Sequence, residues 1–167
     1  MVELLKLCCQ LEKRAGQVYG LLKKMEGFSA GTRELFARLE QEEGRHADLI
    51  LWEINRMQGK SSPVPCDLQF PTLLARQIDE IIETLQRHPI SEIEAVRLAR
   101  NLDIRFWDLL LHNALAFQSE EWKNLFVDLS RDEISHVRQL EEHVLSLLEP
   151  AAVSFPLKMP SSLGPGS

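Results

Sequence analysis

Apolar side chains recur along most of the chain at alternating steps of four and three residues, which is the spacing of an amphipathic helix. The first such stripe comprises Leu4, Cys8, Leu11, Ala15, Val18, Leu22 and Met25. Similar stripes predict helices over about 33–57, 72–87 and 91–116, and a last long helix that ends near Pro150. No segment alternates with a period of two, so the sequence predicts an all-α fold.

Local signals mark where these helices begin and end. We expect the first helix to stop near Gly27 and the second to stop before the Pro-rich stretch SSPVPCDLQFP. The predicted N-caps are Ser29 or Thr32 for the second helix, Ser91 in a capping box with Glu94 for the fourth, and Ser119 for the last.

The predicted elements are four long helices and one shorter helix that links two helix hairpins. This combination is typical of a four-helix bundle with a crossover helix. We expect the bundle to occupy residues 1–149 as one domain. The Pro-, Gly- and Ser-rich residues 150–167 are expected to form a disordered tail.

Composition and charge limit the range of possible functions. Nineteen basic and twenty-five acidic residues give a formal net charge of −6, which argues against nucleic-acid binding. No apolar run reaches the roughly 18 residues that a membrane helix needs, and Glu3, Lys6 and Glu12 interrupt the first segment as they would not in a signal peptide. We therefore expect a cytoplasmic protein without a membrane partner.

A weak internal repeat relates the two predicted hairpins. EKRAGQVY and LFARLEQEEGRH in the first half align with RNLDIRFW and LFVDLSRDEISH in the second. The alignment pairs Tyr19 with Trp107, Phe36 with Phe126, Leu39 with Leu129, Glu43 with Glu133, and His46 with His136. Two hairpins of similar design therefore appear on either side of the segment 60–90.

Each hairpin carries a Glu-x-x-His motif within its apolar stripe, and residues three apart share a helix face. The motifs are Glu43 with His46 and Glu133 with His136, and Glu12 lies in the stripe of the first helix. A buried carboxylate needs a partner, a proton or a metal ion, and such groups between facing helices form a carboxylate-bridged metal site. Alone, Glu12 would more often be an ordinary boundary residue.

Acidic residues also repeat four positions before each histidine, as Glu42 and Asp132. They are either hydrogen-bond acceptors for the imidazole N–H groups or solvated surface charges.

With these motifs, residues 1–148 resemble the ferritin-like superfamily, and within it the rubrerythrin-type di-iron domain. The family pattern is Glu on the first helix, ExxH on the second, Glu on the third and ExxH on the fourth. Glu12 fits the first position, and Tyr19 supplies the aromatic residue that commonly follows seven positions later. The two ExxH motifs fit the second and fourth helices.

The third helix departs from this pattern. Seven positions before Trp107 stands Arg100, where the family has glutamate, and the nearest buried carboxylate is Asp103. Some rubrerythrins use a second glutamate at that position, so Asp103 is either a metal ligand or the partner of Arg100. We expect Arg100 either to bind Glu43 or Glu133 in place of one metal ion, or to pair with Asp103.

The resemblance implies metal ligands at Glu12, Glu43, His46, Asp103, Glu133 and His136, with no catalytic side chain assigned. It implies two iron ions, or one or none because of Arg100, and manganese or zinc would suit the same ligands. The implied activity is reduction of peroxide or dioxygen by a homodimer. Because the CxxC pairs of the rubredoxin-like module are missing, the electron donor would be a separate protein.

A second hypothesis belongs to another class. A degenerate ferritin-like bundle with one or no metal ion would act as a structural, dimerising or metal-sensing protein. Iron storage and di-iron hydroxylation share the ligand pattern, so the substrate class stays open.

Overall fold

The computed structural model of the protein describes residues 2–56, 68–117 and 120–149. Its helices are α1 (Val2–Leu22), α2 (Ala30–Arg56), α3 (Gln69–Arg87), α4 (Glu92–Ala116) and α5 (Glu120–Leu148). No strand occurs among these residues, which confirms the predicted all-α class. The expected tail at 150–167 and the expected N-cap Ser119 lie outside the described residues.

The helices pack mainly as pairs. α1 lies along α2, α4 lies along α5, and α3 packs on α1. The largest fully buried side chains are Tyr19, Phe36, Phe106, Phe126, Leu4, Leu5, Leu11, Leu22, Leu39, Ile50, Leu74 and Ile78. Because they come from both pairs and from α3, the pairs share one apolar core.

Contacts at the two ends of the core fix the helix directions. At one end the Ser29 backbone N–H donates to Glu92 Oε1 at 2.8 Å, so α2 and α4 begin close together. Thr32 Oγ1 lies 2.6 Å from His143 Nε2 near the end of α5. At the other end Arg56 of α2 reaches Glu121 of α5 at 3.4 Å. α2 therefore runs parallel to α4 and antiparallel to α5.

The helix starts confirm two of the predicted caps. Ser29 Oγ accepts the backbone N–H of Thr32 at 3.2 Å, so Ser29 is the cap and Thr32 lies in the first turn of α2. Ser91 and Glu94 form the predicted capping box of α4. These interactions satisfy N–H groups that have no partner within the helix.

The end of α1 differs from the prediction, because the helix stops at Leu22 rather than near Gly27. The next backbone bonds, from Lys24 to Leu21 and from Met25 to Leu22, span three residues and tighten the chain into turns. Gly27 then has φ +85°, a conformation that glycine adopts without the steric penalty of a side chain. Gly27 therefore belongs to the loop.

The linking helix α3 is longer than the sequence suggested. It starts at Gln69 rather than near Thr72 and spans 19 residues. Pro71 is in the first turn, where its missing N–H breaks no helical bond. Leu74 and Ile78 are buried with Ile82 and Leu85, so one apolar face follows the whole helix.

Gly16 marks a close approach of α1 to α2, and we expect Gly16→Ala to stabilise the protein. A Cβ atom there would lie 3.5 Å from Glu43 Cβ and 3.6 Å from the Glu40 carbonyl oxygen, which are ordinary van der Waals contacts. Replacing glycine by alanine inside a helix is worth up to about 1 kcal/mol. Urea unfolding of the metal-free protein measures the gain. Weaker metal binding would instead indicate that Gly16 leaves space for a ligand.

Candidate metal centre

Six ionisable side chains meet between the helices. α1 supplies Glu12, α2 supplies Glu43 and His46, α4 supplies Asp103, and α5 supplies Glu133 and His136. His46 is the most exposed of them at 6%. Each lies on the inward stripe of its helix, so the packing of the stripes carries these polar groups into the core.

The six residues form two groups of four with Glu43 and Glu133 in common. The first group adds Glu12 and His46, and the second adds Asp103 and His136. Within each group, one potential ligand atom of every residue lies within 4.8 Å of the others. The carboxylates of Glu43 and Glu133 therefore lie close together between the helices.

The shared carboxylates face both histidines. Glu43 Oε2 lies 3.4 Å from His46 Nδ1, and Glu43 Oε1 lies 3.4 Å from His136 Nδ1. Glu133 Oε1 lies 3.7 Å from His46 Nδ1, and Glu133 Oε2 lies 3.9 Å from His136 Nδ1. Each of these glutamates therefore presents one oxygen to each group, as a carboxylate that bridges two cations must.

The other two carboxylates each belong to one group. Glu12 Oε2 is 3.7 Å from His46 Nδ1, and Asp103 Oδ2 is 3.9 Å from His136 Nδ1. Tyr19, which is fully buried, donates its hydroxyl hydrogen to Asp103 Oδ1. Tyr19 thus touches the site through a hydrogen bond as well as by packing in the core.

The outer nitrogens of the histidines are bound crosswise between the hairpins. His136 Nε2 lies 2.7 Å from Glu42 Oε2, and His46 Nε2 lies 3.2 Å from Asp132 Oδ2. Each acidic residue therefore forms a hydrogen bond with the histidine of the other hairpin, and not with the histidine four positions after it. A proton on Nε2 that is donated to a carboxylate leaves Nδ1 to face the four inner carboxyl groups.

Unpartnered atoms single out this site. Buried polar atoms in proteins almost always have hydrogen-bond partners, and the side chains of Thr32, Asn113 and Ser130 do. Within the described residues, the buried side-chain atoms without a partner are Glu12 Oε1 and Oε2, Glu43 Oε1 and Oε2, His46 Nδ1, Asp103 Oδ2, Glu133 Oε1 and His136 Nδ1. All are oxygen or nitrogen atoms of metal-binding types, and they face a common centre.

Burial raises the pKa of three carboxyl groups. The pKa of Asp103 rises from 3.8 to about 8, first through desolvation and then through the charge of Glu43. Desolvation also raises the pKa of Glu12 and of Glu133 well above the ordinary value, and Glu43 adds to both shifts. Without a cation, these groups favour their neutral forms.

The pKa values of Glu43 and of the two histidines shift in the direction opposite to the one that burial alone would cause. Desolvation would raise the pKa of Glu43, but contacts with His136 and His46 outweigh it and lower that pKa to about 2. Desolvation would lower the pKa of His46, but Glu12 and Glu43 raise it to about 11. The pKa of His136 is raised as well, mainly by Glu43 against desolvation. Glu43 is therefore the anionic centre of the cation-free cluster.

Arg100 does not belong to this site, which contradicts both expected arrangements. Its guanidinium is bound to Glu141 of α5, with Nε 2.8 Å from Glu141 Oε1, and its side chain is 34% exposed. The long, flexible arginine stem carries the charge out to solvent. Asp103 instead supplies the fourth buried carboxylate.

The predicted alignment of the two halves is therefore displaced by three residues on α4. Asp103 occupies in its group the place that Glu12 has in the other, so Leu110 is the counterpart of Tyr19. Trp107, which the alignment had matched to Tyr19, is only half-buried, whereas Leu110 is 1% exposed. Residues three apart lie on nearly the same helix face, so the apolar stripe could not distinguish the two registers.

We expect Arg100→Glu to leave the number of bound metal ions unchanged. The substitution removes a half-exposed ion pair and places a negative charge near Glu141. Such surface pairs contribute about 1 kcal/mol or less. Metal analysis of the purified variant and its urea unfolding check both expectations. A gain of one ion per chain would show that the guanidinium does oppose a cation.

No known protein family, no curated protein sequence and no solved structure matches this chain at a significant level. Among the described helices, none combines the length and the apolar character needed to cross a bilayer. The fold and the buried cluster described above are therefore the basis for a functional proposal.

Proposed function

We propose that the chain is a ferritin-like four-helix bundle, with α3 as its crossover helix, that binds two iron ions in a rubrerythrin-like centre. Its proposed activity is reduction of peroxide or dioxygen with electrons from an external donor. The observation that carries the proposal is the pair of four-residue groups that share Glu43 and Glu133.

Charge balance supports two divalent cations. Glu12, Glu43, Asp103 and Glu133 together carry −4 when ionised, which two divalent ions neutralise. Arg100 is bound elsewhere and brings no competing positive charge. Four carboxylates with two imidazoles suit iron or manganese, and zinc binds similar ligands.

The distances suggest a role for each ligand residue. Glu43 and Glu133 would bridge the two ions, because each presents one oxygen to each histidine. Glu12 with His46 would hold one ion. His136 with Asp103 would hold the other.

Bound iron would supply the electron transfer to peroxide or dioxygen. The protein contributes a buried site in which electrostatic interactions are stronger than in water. Glu42 and Asp132 hold the outer imidazole protons, which keeps Nδ1 of both histidines directed inward. Tyr19 fixes one oxygen of Asp103 by its hydrogen bond.

The donor and the assembly are further parts of this proposal. The electron donor would be a separate redox protein, and the active form would be a homodimer. Sedimentation of the iron-loaded protein tests the dimer.

Iron counted per chain, together with peroxide consumption, tests the proposal. We expect about two irons per chain after anaerobic loading, and peroxide consumption that depends on an added reductant. Glu40→Gln is a matched control for the loss of a ligand such as Glu43, and it should keep both irons. Glu40 lies one turn before Glu43 on the same helix and is bound to Lys23 rather than to the cluster. Two irons without peroxide or dioxygen consumption would favour a structural or metal-sensing bundle. No bound metal would favour the degenerate bundle.

A further inference from the structure

The two groups of ligands differ in the number of free oxygens on the carboxylate that each group does not share with the other. Both carboxylate oxygens of Glu12 lack a hydrogen-bond partner, whereas only Oδ2 of Asp103 does. Asp103 Oδ1 accepts the hydroxyl hydrogen of Tyr19. Glu12 therefore offers two free oxygens to its group of ligands, whereas Asp103 offers one free oxygen to the other group.

Tyr19 is held firmly in the position that creates this difference. It is fully buried, and its ring stacks on Phe36 with centroids 6.2 Å apart and planes at 9°. Tyr19 is the only tyrosine in the chain. Its hydroxyl has one observed partner, Asp103, in a part of the core where an unpaired hydroxyl would be unfavourable.

The number of free oxygens in each group affects how a cation binds there. Fewer protein ligands around a cation leave coordination positions for an exogenous ligand, as in catalytic metal sites. Asp103 is also one methylene shorter than glutamate, and its free oxygen lies 3.9 Å from His136 Nδ1. The group at Glu12 has the fuller set of oxygens.

We propose that Tyr19 makes the two cation positions unequal, so that the position at Asp103 and His136 is the weaker one and accepts a small exogenous anion. This inference rests on the proposed two-metal function and assigns the place within that centre where a small ligand binds. Tyr19 acts here as a positioning residue, through the oxygen of Asp103 that it occupies.

Anaerobic titration of the full chain with Co²⁺, followed by sodium azide, tests the proposal. Co²⁺ is suitable because its visible absorption weakens as its coordination number rises. We expect two resolved binding steps, of which Glu12→Gln removes the tighter and Asp103→Asn the weaker. Azide should change the spectrum only after the second equivalent of Co²⁺.

Tyr19→Phe removes the hydroxyl and keeps the ring. With Asp103 Oδ1 released, we expect a weaker absorption band for the second cobalt ion and an azide affinity reduced about tenfold, in the range that such outer contacts control. Ser130→Ala is the matched control, since it removes another buried hydroxyl, which is bonded to the Val127 carbonyl. The control should leave both steps and the azide response unchanged.

The outcomes separate this inference from the proposed function. Absence of Co²⁺ binding in the unmodified chain would overturn the proposed function. Two equal steps, an azide response with the first equivalent, or an unchanged second step in Tyr19→Phe would overturn the inference and leave the two-metal centre intact. If Tyr19→Phe fails to fold, the steps lost in Glu12→Gln and Asp103→Asn still decide the order of filling.

Discussion

Glu43→Gln is expected to weaken binding at both proposed cation positions by more than about a hundredfold. Glu43 belongs to both groups of ligands and presents a different oxygen to each histidine. Its replacement therefore removes one charged ligand from each position, whereas Glu12→Gln removes a ligand from only one. Loss of a residue that only supports a metal ligand commonly lowers affinity ten- to a hundredfold, so loss of a ligand itself should have a larger effect.

Metal content after dialysis and isothermal titration with Mn²⁺ measure this effect. Glu40→Gln makes the same chemical change on the same helix, at a residue paired with Lys23 rather than with the cluster, and should retain two ions. If Glu43→Gln lost only one ion and held the other unchanged, Glu43 would not bridge.

The same substitution should also lower the stability of the metal-free protein, and Glu133→Gln should raise it. The pKa of Glu43 is lowered to about 2, so it is the anion that stabilises the two charged histidines. Burial raises the pKa of Glu133 well above its ordinary value, so its carboxyl group favours the neutral form, which glutamine resembles. Urea unfolding in the presence of a chelator distinguishes these opposite signs.

The metal-free protein is expected to lose about 2 kcal/mol or more of unfolding free energy between pH 5 and pH 8. The pKa of Asp103 is 3.8 in the unfolded chain and about 8 when folded, so its contribution is complete below pH 3.8 and is lost as the pH rises from there through about 8. The pKa of His46 rises from 6.5 to about 11, so its contribution begins to fall above pH 6.5.

Glu43 does not reverse this trend. Its pKa falls from 4.5 to about 2, so its contribution is constant above pH 4.5 and is lost only in stronger acid. Between pH 5 and pH 8 the folded state therefore binds more protons than the unfolded state, and stability falls as pH rises.

A bound divalent cation should invert this dependence. Cations and protons compete for the same oxygen and nitrogen atoms, so cation affinity increases as the pH rises. We expect saturating Mn²⁺ to stabilise the protein more at pH 8 than at pH 5, by the amount that ligand binding adds to the folded state. Urea unfolding at four pH values, with Mn²⁺ or with chelator, checks both slopes. Parallel curves under the two conditions would show that cations do not bind at this cluster.

The residue pattern alone identified the helices and five of the six clustered residues, and it offered the sixth, Asp103, as one of two alternatives. The spacing of apolar residues predicted the helices because one continuous face must be buried whatever its partner. The two ExxH motifs and Glu12 were found because acidic residues interrupt those stripes, and carboxylates are rarely buried without a partner. These are local properties, which a single helix displays in its sequence.

The tertiary structure was needed to decide between the two places that the sequence left open for Asp103, and for every contact between helices. Arg100 and Asp103 are three positions apart, so both are compatible with the inward face, and only the packing of α4 on α5 places Arg100 beside Glu141. The packing of α2 against α5 directs Glu42 and Asp132 to the histidine of the opposite hairpin.

The bond between Tyr19 and Asp103 shows the limit of the sequence most clearly. The two residues are 84 positions apart, and no periodic pattern relates them. What the sequence determined was the inward face of each helix, because that depends on residues one turn apart. Which inward residues meet was decided by the packing of helices distant in sequence, because a shift of one helix along its axis by a single turn changes the partners and keeps the apolar stripe facing inward.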